Sequence, residues 1–333
     1  MKKSGWLFLI LLVLCMAAFA VKPWPPKHYQ FDMNLPDSNK IYLGRVLFYD
    51  PILSRDSSIS CESCHSPYTA FAHTDHALSH GIDDRIGMRN APALFNLAWQ
   101  RELMWDGAVN HLDMQALAPI THADEMDEKL PVVLNKLRRT ERYIKLFLNA
   151  WGDTAINTQR LLKSISQFLL TLESRNARYD SMKNGSVRFT GQEQRGYTLF
   201  RKNCNFCHTE PLFSHYGFEK NGLPPDPKKN DAGRMKVTLL SSDSLKFKVP
   251  SLRNIELTYP YMHDGRFKNL SEVIRYYSDE MRLGSASAAL KGPLHLSAEE
   301  KTDLLAFLLT LTDRSFVKNK NHQFPRWEIQ NQQ

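Results

Sequence analysis

This chain has few cysteines to spare, one long apolar run and no strand-rich region. Five cysteines occur in 333 residues. Cys15 lies in the leader, and the other four fall inside two copies of one pattern, Cys61-Glu62-Ser63-Cys64-His65 and Cys204-Asn205-Phe206-Cys207-His208. Four cysteines in an exported protein would ordinarily suggest two disulfides, but the histidine after each pair argues against that. Beyond residue 20 no segment approaches the ~20 apolar residues that span a bilayer, so no second span is expected. Without strand-rich stretches the chain reads as mostly α.

The first twenty residues have the layout of a secretory signal peptide: Lys2 and Lys3, an apolar run from Trp6 to Leu14, then Ala18-Phe19-Ala20 as an A-x-A cleavage site. The alternatives are an uncleaved anchor and lipid attachment at Cys15, where Leu14 is a poor preceding residue. Removing Lys2 and Lys3 takes the formal charge from +8 to +6. An exported, mildly basic chain is not expected to meet nucleic acid, and its charge is compatible with an acidic protein partner. Hydrophobic residues make up 42% of the chain, and at ~150 residues per domain the length suggests two cored domains.

C-x-x-C-H is the attachment pattern for c-type haem. The thiols add across two vinyl groups, and the adjacent histidine supplies the proximal iron ligand. The competing reading, one zinc held by four thiolates, explains neither histidine. Two covalent haems are therefore expected, on Cys61, Cys64 and His65 and on Cys204, Cys207 and His208.

The surroundings of the two motifs repeat as well. "LGRVLF" (43–48) precedes the first and "RGYTLF" (195–200) the second, with Gly44 and Phe48 spaced like Gly196 and Phe200. Twelve residues separate Phe48 from Cys61, whereas three separate Phe200 from Cys204. Thr190-x-x-Glu193 is a capping box that opens a helix towards Cys204. Apolar periodicity predicts a helix over 157–172, with Leu161, Leu162, Ile165, Phe168, Leu169 and Leu172 on one stripe. A Ser297-x-x-Glu300 box opens another over 297–311. The polar stretch 174–191 reads as a linker. The pattern predicts two tandem cytochrome c-like haem domains, 21–185 and 186–333, after a leader over 1–20.

Five long segments carry a resemblance: "SCESCHSP", "GMRNAPALFN", "WDGAVNHLDMQALAPITHADEM", "FKVPSLRNIELTYPYMHDG" and "LSEVIRYY". Through them the chain resembles bacterial dihaem cytochrome c peroxidases and their MauG-type relatives, over nearly all of its expected mature length. The resemblance implies a periplasmic oxidoreductase whose N-terminal haem reacts with hydrogen peroxide and whose C-terminal haem handles electrons. It also implies haem motifs near the domain interface.

Three features decide what such a member does. Ile82 stands where better-known peroxidases carry a loop histidine on the resting iron, so the first haem is expected to be open. His73, His76 and His80 lie nearby as surface residues, with His80 the foremost substitute ligand. The family's distal pair falls on Gln115 and Glu125, with Pro119 walling the pocket. Taken without the family, Glu125 is one of four acids in "ADEMDE" and would read as a solvated helix face. Fourteen residues after His263 comes Tyr277, where better-known peroxidases carry a methionine ligand and MauG-type proteins a tyrosine. With Asn269 as N-cap, Leu270, Val273, Ile274 and Tyr277 share a helical face that Tyr276 leaves. Met262 is the rival ligand for the second iron.

The resemblance further makes Trp105 an electron relay between the haems, although a core tryptophan would look the same in sequence. Asn90 and the main-chain carbonyls of Thr258 and Pro260 match an interdomain calcium site, and oxygen donors suit that ion. Electrons are expected from a small cytochrome c or a cupredoxin. The alternatives are oxidation of a partner protein's residues and a plain dihaem electron carrier; a carrier has no use for Gln115 and Glu125. Family members are often homodimers, which is implied here by analogy.

Overall fold

The structure is a computed structural model that describes residues 24–282, 286–288, 290 and 292–325. The expected signal peptide and Cys15 lie outside the described residues. The longer helices are α1 (Ser38–Tyr49), α2 (Leu130–Arg138), α3 (Glu141–Trp151), α4 (Thr158–Thr171), α5 (Arg178–Lys183), α6 (Gly191–Asn203), α7 (Leu270–Arg275) and α8 (Ala298–Leu309). Among the described residues one two-stranded antiparallel ribbon appears, β1 (Phe218–Glu219) against β2 (Phe247–Lys248), pairing Phe218 with Lys248. No helix among them is long and apolar enough to cross a membrane.

Both halves are built on the same helix crossing. Asp37 caps α1 by accepting the Lys40 amide at 2.9 Å, and Asn157 caps α4 by accepting that of Arg160 at 3.0 Å. The predicted stripe of α4 is buried against α1. At the crossing a side chain on Gly44 would put its Cβ 1.8 Å from the Ser164 carbonyl oxygen, so only glycine lets the backbones meet. In the second half the Thr190 and Ser297 boxes open α6 and α8 as expected. There a Cβ on Gly196 would lie 1.9 Å from the Asp303 carbonyl oxygen. Phe48 meets Phe168 at 5.3 Å between ring centroids, and Phe200 meets Phe307 at 5.0 Å. The repeated G-x-x-L-F is thus the crossing glycine and the core phenylalanine of one duplicated module.

The segment expected as a linker is more structured than its polarity suggests. Within 174–191, α5 buries Tyr179 in the second core beside Phe213 and Phe307. Asp180 turns inward to Arg253, whose side chain is fully buried, at 2.8 and 2.7 Å. The chain end also crosses between halves. Phe316 joins the first core beside Phe71 and Phe95, and Tyr49 donates to the His322 carbonyl oxygen at 2.6 Å.

Candidate haem centres and the path between them

All four thiols are free, so no disulfide joins them. Cys61 packs on the first core and Cys204 on the second, and no cluster of metal-ligating atoms among the described residues unites the four. Zinc shared between the motifs is therefore ruled out by separation. Burial pushes the thiols up to about 12 at Cys61, 11 at Cys64, 12 at Cys204 and 11 at Cys207.

At the first centre Cys61–Cys64 form a single helical turn, capped by Ser60 and Ser63. His65 follows, and its Nδ1 meets the Phe71 carbonyl oxygen at 3.0 Å. A proton on Nδ1 donated to that carbonyl leaves the Nε2 lone pair for iron. Burial holds the imidazole at about 4, hence neutral and competent to ligate. His208 repeats this geometry: its Nδ1 lies 3.2 Å from Phe213 O and 3.1 Å from Pro250 O, and burial holds it at about 4.

Glu125 sits in a turn between helices, not on a helix face. Its main-chain carbonyl accepts the Ile82 amide at 2.8 Å, and a Cβ on Gly81 would lie 2.2 Å from Asp124 O. The loop carrying Ile82 therefore lies directly on the acid turn, and Ile82 itself is fully buried. Burial first, then Asp124, raises the Glu125 carboxyl above the ordinary range, with His122 pulling the other way. Its charge in turn raises both Cys61 and Cys64, which places the carboxyl beside the first haem-bearing turn. Gln115 donates from Nε2 to the Met104 sulfur at 3.0 Å, while its buried Oε1 has no partner. A buried acceptor without a partner fits a bound hydrogen-bond donor. Pro119 supplies the carbonyl that holds the Met126 amide at 3.2 Å, closing the same turn.

The three loop histidines form a stack, with ring centroids 6.1 Å apart for His73 and His76 and 4.7 Å for His76 and His80. His80 is paired through Nδ1 with the exposed Asp84.

The second cavity has Cys204, Cys207 and His208 on one side, with Leu270, Val273, Ile274 and Tyr277 on another. That is the face expected from sequence. A π-helical turn, 276–280, continues α7, and Tyr276 leaves the cavity to donate to Asn221 O at 3.0 Å. Burial pushes the Tyr277 phenol up, Tyr276 and the nearby thiols add to the shift, and a hydrogen bond with Asn221 opposes it. Met262 lines the same cavity, its sulfur 3.5 Å from the Asn221 amide nitrogen. The apolar walls, paired thiols and neutral imidazole fit a covalent haem.

Trp105 lines both this cavity and the one between the domains. Its indole donates to Asn90 O at 2.8 Å, and its carbonyl accepts the Lys248 amide at 2.7 Å. Asp106 and Gly107 follow. Gly107 has φ +79° and leaves space that Arg234 and Phe218 fill. Asn90, Thr258 and Pro260 line the interdomain cavity together. Sequence reasoning missed Lys248 and Arg253, both buried; only their places within "FKVPSLRN" could have singled them out.

Two haem-binding modules joined through a shared tryptophan, with an acid beside one of them, define a dihaem peroxidase-type oxidoreductase. Comparison with known proteins agrees. The family described as "Di-haem cytochrome c peroxidase" matches residues 38–188, and the cytochrome c family matches 193–312. The methylamine utilization protein MauG of Methylophilus methylotrophus is 34% identical, over 82% of each chain. The cytochrome c551 peroxidase of Nitrosomonas europaea is 32% identical, over 81% of this chain and 79% of its own. A crystal structure of a MauG-like protein associated with microbial copper homeostasis is 32% identical, with a TM-score of 0.82 over 92% of this chain and 98% of that one. The chain belongs to the dihaem cytochrome c peroxidase and MauG family, whose members are oxidoreductases acting on peroxide.

Proposed function

We propose that this protein is an exported, periplasmic peroxidase that reduces hydrogen peroxide with electrons from a small cytochrome c or a cupredoxin, received through the C-terminal haem. The observation that carries this reading is the raised, half-buried Glu125 carboxyl beside the first haem turn; the orphan Gln115 Oε1, in the cavity between the domains, supports it. When bound, the haems supply the redox iron, one for peroxide cleavage and one for electron relay.

The chain's own groups do the rest. Gln115 Oε1 accepts a hydrogen bond from peroxide and orients it. Glu125, as carboxylate, would take a proton from one peroxide oxygen and return it to the other; two electrons from the donor and two further protons then take both oxygens to water. One group serves both transfers because burial raises its basicity towards working pH, and such catalysis contributes ~10²–10⁴-fold. Ile82 has no ligating atom and leaves the distal face to the substrate. Trp105 couples the two cavities. Tyr277 would ligate the second iron in this reading, with Met262 the rival; an oxygen donor favours the oxidised metal. Asn90 and the carbonyls of Thr258 and Pro260 would hold calcium at the domain junction, with water completing the shell.

The Tyr277 position favours a second reading, the peroxide-dependent oxidation of residues on a partner protein. Steady-state peroxide consumption with a reduced small cytochrome c separates the two. Sustained turnover supports the first reading. A negligible rate, with peroxide still bleaching the haem spectrum, supports the second. Haems that do not respond to peroxide would contradict both.

A further inference from the structure

Strand β2 ends at Lys248, whose residue is 8% exposed and lines both the interdomain cavity and the second haem cavity. Its ammonium is held by neutral acceptors, Gln100 Oε1 at 2.6 Å and the Glu102 carbonyl oxygen at 3.2 Å. Nearby carboxylates are committed elsewhere: Glu102 to Arg234 at 2.8 Å and Asp106 to Arg89 at 2.6 Å. The amide of the same lysine is bonded to the Trp105 carbonyl. A buried cation held by neutral groups is costly, and shedding its proton relieves that cost.

We propose that Lys248 is a redox-linked proton site, taking a proton from solvent as an electron enters the haem pair and releasing it as the electron leaves. The exchange holds the charge between the haems nearly constant. Burial brings this lysine down to about 7, against the upward pull of Glu102 and Asp106, so both forms are accessible near neutral pH. The other charged groups near it are Arg89 and Arg234, the partners of Asp106 and Glu102. Glu219 and His263 line the second cavity with it, and burial holds His263 at about 4, hence neutral. Low dielectric makes such charges felt over several ångströms.

Linkage then requires reciprocity: if added electrons tighten proton binding, protons raise the potential. A tenfold change in proton concentration is worth up to ~59 mV for one electron. The inference rests on the dihaem reading but not on which substrate is oxidised.

The test is a spectroelectrochemical titration of the holoprotein between about pH 6 and about pH 8, around the lysine's working range. Wild type, Lys248→Met and Lys248→Arg would be compared. Wild type is expected to lose potential with rising pH more steeply than Lys248→Met. Lys248→Arg should sit higher and lose the lysine-dependent slope. Equal slopes in wild type and Lys248→Met, with both haem spectra intact, would overturn the inference and leave the dihaem reading standing. If the variants do not fold, proton uptake on reduction of unmutated holoprotein near neutral pH decides: uptake is expected, and none overturns the inference.

Discussion

The Ile82 amide donates to the Glu125 carbonyl oxygen at 2.8 Å, so the loop carrying Ile82 and the turn carrying Glu125 are joined backbone to backbone. Glycine at 81 makes that contact possible, since any Cβ there would collide with the backbone of Asp124 and Glu125. Arg85 adds to this contact, donating to Ala123 O at 2.8 Å and to Asp127 at 3.2 Å, so loop and turn are held together at several points.

Replacing Glu125 by Gln keeps shape and removes the proton carrier. The reaction with peroxide, followed by stopped-flow absorbance, is expected to slow by ~10²–10⁴-fold. The pH profile gives a second readout. Burial raises this carboxyl, so its charged form appears only at higher pH than for a free glutamate, and only that form accepts a proton. The wild-type rate should therefore climb as pH rises through the shifted value, while the variant stays flat over the same range.

Gly81→Ala should separate positioning from chemistry. Its added Cβ forces the two backbones apart at a cost of about 1–3 kcal/mol, read by denaturant melts. The peroxide reaction should slow even though Glu125 and both haem attachments remain. Normal rates with normal stability would show that the loop and the turn tolerate separation.

Arg253 is fully buried and paired with Asp180, and it also donates to Pro211 O at 2.8 Å. Arg253→Met leaves Asp180 without its partner and should cost about 3–5 kcal/mol. Loss of protection at α5 should accompany it, measured by amide exchange over residues 178–183.

Tyr277→Met is expected to shift only the spectrum of the second haem and to raise its potential, because a thioether favours reduced iron. Tyr277→Phe should leave an altered or open sixth position. An unchanged spectrum in Tyr277→Phe would transfer the role to Met262, which lines the same cavity.

Much of this was legible in the sequence because it follows from local pattern. The crossing glycines 44 and 196, the capping boxes and the face ending at Tyr277 are set by short-range spacing, and each appears where the spacing puts it. What escaped depends on distant partners. Helix α5 looks like a linker because Asp180 is polar, yet that carboxylate is satisfied by an arginine seventy-three residues away. Glu125 sits among acids that are solvated in most contexts; tertiary contact with the Ile82 loop is what buries it. Lys248 reads as one surface cation among many until the two halves close over it.

The two irons are expected to differ, one with a vacant distal position and the other saturated. Electron paramagnetic resonance of the resting ferric protein tests this most directly. One high-spin and one low-spin haem signal are expected, and two low-spin signals would mean that a side chain caps the first iron, contradicting that difference.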